Sequence, residues 1–192
     1  MDLKQVAESA VLRHSGVLEI LLGTCLPDME GAFTLIQAAC NSGQTIFACG
    51  NGGSAASCQH FTAELVGHYK KEREPKAALS LTTDTSALTA IGNDYGFEEV
   101  FARQLSGLGQ RGDVLVVLST SGKSRNVIRA AEVARTRGIS VVALTGAAGS
   151  ELAEWADVCI RIPSGETARV QEMTDLILHI FCEALDEYLP AA

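Results

Sequence analysis

Apolar and polar positions along the chain follow a strand-then-helix rhythm. Val114-Leu115-Val116-Val117-Leu118 is apolar at every position, the pattern of a strand covered on both faces. Four other short apolar runs read as strands: Thr45–Cys49, Ala77–Leu81, Val141–Leu144 and Val158–Ile162. The segments between them space their apolar residues as helices do, over 54–67, 86–92, 99–108 and 125–137, with a long closing helix over 168–188. This predicts an α/β fold: a doubly wound, five-stranded parallel sheet of flavodoxin-like type, flanked by helices and joined by right-handed crossovers. Ligands of such sheets sit beyond the carboxyl ends of the strands, where the strand order reverses. The loops after Cys49, Leu81, Leu118 and Leu144 are therefore the ones that matter.

Upstream, Leu3, Val6, Ala10, Val17, Ile20 and Leu21 recur at roughly helical spacing, and Pro27-Asp28 reads as the opening of a second helix that ends at Asn41-Ser42-Gly43. The expectation is a single domain, 1–192, made of an N-terminal helical pair (1–42) and a sheet core with its closing helix (43–192). The pair is expected to pack against a partner subunit rather than cap its own domain.

Composition narrows the function. Fifteen Lys and Arg against 23 Asp and Glu leave a net charge of -8, which argues against nucleic acid as a partner. With 47% hydrophobic and 20% charged residues the chain is not of a disordered type. No uninterrupted apolar run approaches the ~20 residues of a membrane span. The start, MDLKQVAESAV, carries charge where an export signal is apolar, so a cytoplasmic location is expected. Six cysteines without a CxxC pair read as buried free thiols, not as a disulfide framework or a cysteine zinc site.

Two loops have the character of a phosphate cradle. After the first strand comes Gly50-Asn51-Gly52-Gly53-Ser54, where glycines let backbone N–H groups approach a ligand beside a helix N-terminus. Its spacing is not GxGxxG, so the dinucleotide fingerprint fails. After the clearest strand comes Ser119-Thr120-Ser121-Gly122-Lys123-Ser124, whose hydroxyls and amides are neutral donors suited to a phosphate monoester. Gly122-Lys123-Ser124 looks like the tail of a nucleotide P-loop, but Val117 stands where that motif needs glycine. No nucleotide cofactor is expected.

His60 and Glu64 share one face of the helix after the glycine loop. Gln171, Asp175 and His179 form a stripe on the closing helix. Taken alone, His60 and Glu64 are as readily a surface pair, Gln171 a solvated amide and His179 a core histidine. Asp175 reads as an exposed residue in preference to a partner of the site.

Together these segments carry a resemblance. Gly50–Ala56, Gln59-His60-Phe61, Ala63-Glu64-Leu65, Thr82-Thr83-Asp84, Ala90–Gly96, Ser119–Ser124 and Ala168–Glu172 resemble the sugar isomerase (SIS) domain family, and within it the sedoheptulose-7-phosphate isomerases. The resemblance implies a homotetramer whose site is shared between subunits. It also implies interconversion of sedoheptulose 7-phosphate and D-glycero-D-manno-heptose 7-phosphate through an enediol, the first step of activated-heptose synthesis. Carried onto this chain, the phosphate contacts fall on Ser119, Thr120, Ser121 and Ser124. The other substrate contacts fall on Asn51, Gly52, Gly53, Ser54, Asn93, Asp94, Gln171 and Glu64. Glu64 and His179 match the proton-transfer pair, and His60, Glu64, Gln171 and His179 match a Zn²⁺ site described for some members. A carboxylate held on zinc is a poorer base, so Glu64 cannot serve fully in both roles.

The chain departs from the family in two places. His68 stands where the family often has arginine, leaving Lys70, Lys71 or Arg73 to supply the positive charge, and Thr174-Asp175 replace a histidine and an apolar residue. A non-catalytic SIS tetramer that binds a replication initiator protein is the alternative reading, and a SIS isomerase of another ketose phosphate is a third. Members of the non-catalytic branch lack the carboxylate that Glu64 supplies, which favours the enzyme.

Overall fold

The structure is a computed structural model and describes residues 2–148 and 151–189; the outer limits expected for the domain, 1 and 192, lie outside them. A long helix, α1 (Leu3–Asn41), precedes β1 (Ile46–Gly50), α2 (Gly53–Val66), β2 (Ala78–Ser80), α3 (Thr85–Tyr95), α4 (Val100–Leu108), β3 (Val114–Ser119), α5 (Arg125–Arg137), β4 (Ser140–Gly146), β5 (Val158–Ile162) and α6 (Thr167–Tyr188). The five strands are parallel in the order β2-β1-β3-β4-β5. That order reverses between β1 and β3, so a crevice opens between the loops that follow them.

Strand periodicity divides the core in two. Ile46, Ala48, Val114, Val116, Leu118, Val142, Leu144, Ile160 and Ile162 face α1, α2 and α6. Phe47, Cys49, Leu115, Val117, Val141 and Ala143 face α4 and α5. α2 and α6, which carry the candidate catalytic residues, thus lie on the same face. Five of the six cysteines are buried free thiols and Cys159 is half-buried. Burial pushes the Cys58 thiol up, and burial with the nearby Glu64 charge pushes Cys182 up to about 12.

The expected helical pair is a single helix. Pro27 lies inside α1, where it removes one backbone donor. The apolar stripe runs straight through it: Val17, Leu21, Cys25, Met29, Ala32, Ile36, Ala39 and Cys40 are all buried, and that burial outweighs one lost hydrogen bond. The expectation that the arm would not cap its own domain is also corrected, because its C-terminal two-thirds pack on β5 and α6. Arg13 pairs with Glu166 at 3.0 Å and His14 with Glu172 at 2.8 Å. One 18-residue stretch of α1 is predominantly apolar and mostly exposed. By length and composition it could cross a membrane, although charged residues interrupt every such stretch of α1. Its inner stripe, however, is already seated in the core of the sheet.

Candidate active site

β1 ends in a loop that only glycine can build. Gly52 caps α2 with φ +57°, a region that side chains with a Cβ rarely enter. The next residue, Gly53, lies against the closing helix: a Cβ there would come 2.5 Å from Gln171 Nε2. The missing side chain is what lets the Gln171 amide reach the start of α2. Gly53, Ala56, Ser57, His60, Gln171 and Asp175 line one cleft of about 290 Å³. Ser54 is buried in the first turn of α2.

The second loop, after β3, is braced by its own hydroxyls. Gly122 N–H donates to Ser119 Oγ at 3.1 Å, Lys123 N–H donates to Ser121 Oγ at 3.2 Å, and the Ser119 and Ser124 hydroxyls bond at 3.1 Å. Ser124 is the N-cap of α5, yet its side chain caps none of the helix's amides. The positive end of α5 therefore faces the loop, as anion binding requires. Thr120, Ser121, Lys123, Gly146, Ser164 and Thr167 are among the residues lining a cleft of about 220 Å³ there. Ser164 and Thr167 were missed in the sequence, because only the parallel pairing of β3, β4 and β5 brings their loops together.

α2 and α6 bring three of the predicted side chains to one place. His60 Nε2 and His179 Nε2 are 2.7 Å apart, with their rings edge-to-face at 5.0 Å between centroids. Glu64 Oε1 is 3.7 Å from His60 Nδ1. The His179 ring stacks on Tyr69 at 5.3 Å, a residue that no local pattern singled out. Asp175, expected to be exposed, is half-buried and lines the same cleft as His60; its Oδ1 is buried without a hydrogen-bond partner among the described residues.

Other expectations change. Asn51 uses its carboxamide on Asn126, in two reciprocal bonds of 2.8 Å, so the two amides tie the glycine loop to α5. Asn93 and Asp94 lie exposed near the end of α3, bonded to one another at 2.8 Å, and line neither cleft. Of the cations held in reserve for the absent family arginine, Arg73 is excluded as a substrate contact. It is buried and paired with Asp186 at 2.9 Å. Lys70 and Lys71 pair at the surface with Glu183 and Glu187.

Two imidazole nitrogens converging with a carboxylate on the same helix are donors of the kind zinc takes. Among the described residues, however, no group of three or more His, Cys, Asp or Glu side chains has the arrangement of a metal site. The donor types fit a zinc ion, and two of them already meet.

The frame is a doubly wound sheet with a hydroxyl-rich loop at its switch point and a cluster of two histidines and a glutamate on two adjoining helices. The SIS domain family model matches residues 15–146, and the chain belongs to the SIS domain family. It is 50% identical over 170 residues to the phosphoheptose isomerase of Rhodospirillum rubrum, covering 88% of this chain and 90% of that one. It is 54% identical over 180 residues to that of a Nitratiruptor species, covering 94% and 96%. The solved structure of the phosphoheptose isomerase from Neisseria gonorrhoeae superposes with a TM-score of 0.91 at 41% identity, covering 97% of this chain and all (100%) of that one.

Proposed function

We propose that the chain is a phosphoheptose isomerase, interconverting sedoheptulose 7-phosphate and D-glycero-D-manno-heptose 7-phosphate. The observation that carries this is the meeting of Glu64, His60 and His179, with His60 Nε2 and His179 Nε2 at 2.7 Å, on the face of the sheet whose edge bears the serine loop. The phosphate sits on the amides and hydroxyls of Ser119, Thr120, Ser121 and Ser124, with Lys123 and Thr167 at its rim. Gln171, Gly52 and Gly53 take the sugar hydroxyls. Glu64 removes a proton from C1 of the ketose while His179 gives one to the C2 oxygen, which yields a cis-enediol. The O1 hydroxyl then gives up its proton to the imidazole, and Glu64 returns its proton to C2, leaving the aldose.

His60, Glu64, Gln171 and His179 are the residues that would hold Zn²⁺, and a bound zinc polarises the sugar carbonyl as a Lewis acid. Prolonged chelation is expected to lower turnover, and added Zn²⁺ to restore it; full activity after chelation would show that the imidazole pair works without metal.

The assembly we propose is a homotetramer. α3 buries none of its residues, and Tyr95, Phe97, Leu3, Val11 and Leu12 are exposed large apolar side chains that a neighbouring subunit would cover. In such an assembly Asn93 and Asp94, which line neither cleft of their own subunit, would serve a neighbour's site. Six unpaired cysteines accord with work in the reducing cytoplasm.

Purified protein incubated with sedoheptulose 7-phosphate is expected to give the aldose phosphate by NMR. No exchange at C1 or C2 would overturn the assignment, whereas turnover of a different ketose phosphate alone would leave the chemistry and change the substrate.

A further inference from the structure

The loop between α2 and β2 is tied to the closing helix by a buried ion pair that the proton-transfer chemistry does not use. Asp186 lies two turns beyond His179 on α6. Its Oδ1 accepts from Arg73 Nε at 2.9 Å, and its Oδ2 accepts from the Lys70 and Lys71 N–H groups at 2.7 and 3.0 Å. The two side chains are 1% and 2% exposed. Arg73 spends three more of its donors on backbone carbonyls: Nη2 donates to Glu64 O at 2.7 Å, and Nη1 to Leu65 O at 3.0 Å and Glu74 O at 3.2 Å. The first two belong to the last turn of α2, where carbonyls have no intrahelical partner and a cation is favoured by the helix dipole.

One ion pair thus touches both halves of the site. Through Arg73 it holds the backbone of Glu64. Through the Lys70 amide it holds the residue next to Tyr69, whose ring stacks on His179 at 5.3 Å with the planes 24° apart. We propose that Arg73 and Asp186 are positioning residues for the isomerisation: the pair sets Glu64 on α2 and the Tyr69-backed imidazole of His179 on α6 in mutual register. Burial by itself pushes the Asp186 carboxyl up. The Lys70 and Lys71 amides and the Arg73 guanidinium outweigh it and hold the group below its ordinary value. The pair's contribution is therefore present above the ordinary carboxylate pKa and fades only as the pH falls through the lowered one.

This inference rests on the proposed isomerase reading, and the test separates the two. Removing one partner of a buried pair costs stability as well as geometry, so three variants are compared at a temperature well below each one's own melting point. Asp186→Asn is expected to lose about tenfold or more in kcat with KM within about twofold of the parent, since small misplacements of reacting groups are costly. Asp186→Glu is expected to recover part of that loss. Tyr69→Leu, which leaves the ion pair intact, is expected to lower kcat in the same way. The chain has four histidines, so imidazole NMR gives a reading independent of turnover: the His179 signal should move in Asp186→Asn while that of His14, on α1, stays. A folded Asp186→Asn with parental kcat, or with an unmoved His179 signal, would overturn the proposal. Should Asp186→Asn not fold, Tyr69→Leu decides alone, and parental kcat there also overturns it. A parent protein inactive on sedoheptulose 7-phosphate would instead sink the isomerase reading, and the imidazole signals would still report whether the pair positions His179.

Discussion

Glu64→Gln is expected to lower kcat by a factor of roughly 10²–10⁴, the range that a positioned general base contributes, while sugar phosphate still binds. The change is isosteric. The Glu64 carbonyl that accepts from Arg73 Nη2 at 2.7 Å is backbone, so the anchoring of α2 is untouched. Only the carboxylate is lost, 3.7 Å from His60 Nδ1. The phosphate loop after β3 is on a different element and keeps its Ser119–Ser124 and Gly122–Ser119 bonds. Calorimetric titration with sedoheptulose 7-phosphate should therefore give near-parental affinity while NMR shows turnover slowed by about that factor. Parental turnover would move the base elsewhere, and a loss of binding equal to the loss of rate would make Glu64 a sugar contact. The variant also separates the enzyme from a non-catalytic SIS tetramer, whose binding function has no need of a base at this position.

The sheet was legible because its strands carry their own signal: Val114–Leu118 is apolar on both faces, and β5 runs over the expected Val158–Ile162. The glycine and serine loops were legible because tight strand-to-helix turns restrict residue choice locally. α1 misled at Pro27, whose local preference for ending or starting a helix was overridden by a buried stripe continuing on both sides of it. What stayed hidden in the site depends on contacts far apart in sequence. Tyr69 matters because it lies on His179, Asn126 because it closes a pair with Asn51, and Arg73 because Asp186 lies 113 residues away. None of these has a periodicity or motif of its own. Asp175 could be placed on the Gln171–His179 stripe by spacing, but whether that stripe faces solvent or a cleft depends on how α6 packs against α2.

Phe181→Ala is expected to cost about 3–5 kcal/mol, the range for emptying a buried aromatic site, and to lower the melting temperature by roughly 6–20 °C for a domain of this size. Phe181 is 1% exposed on α6, in the cluster shared by α1, α2 and the sheet, and its ring lies 6.2 Å from Phe33 of α1. Removing it opens a void between the closing helix and the helix that covers it, and the close packing of Met173, Ile177 and Leu185 along α6 leaves little freedom to collapse into that space. Tyr188→Ala is the control. Its side chain is 69% exposed, so its loss should shift the melting temperature by about 2 °C or less. Scanning calorimetry at one fixed protein concentration, which keeps subunit association constant, compares them. Equal and small shifts would mean that α1 does not roof its own sheet in solution and instead covers a partner. A large shift for Phe181→Ala alone locates the stabilising contact inside the chain, because the ring's neighbours on α1 are the residues that a detached arm would carry away.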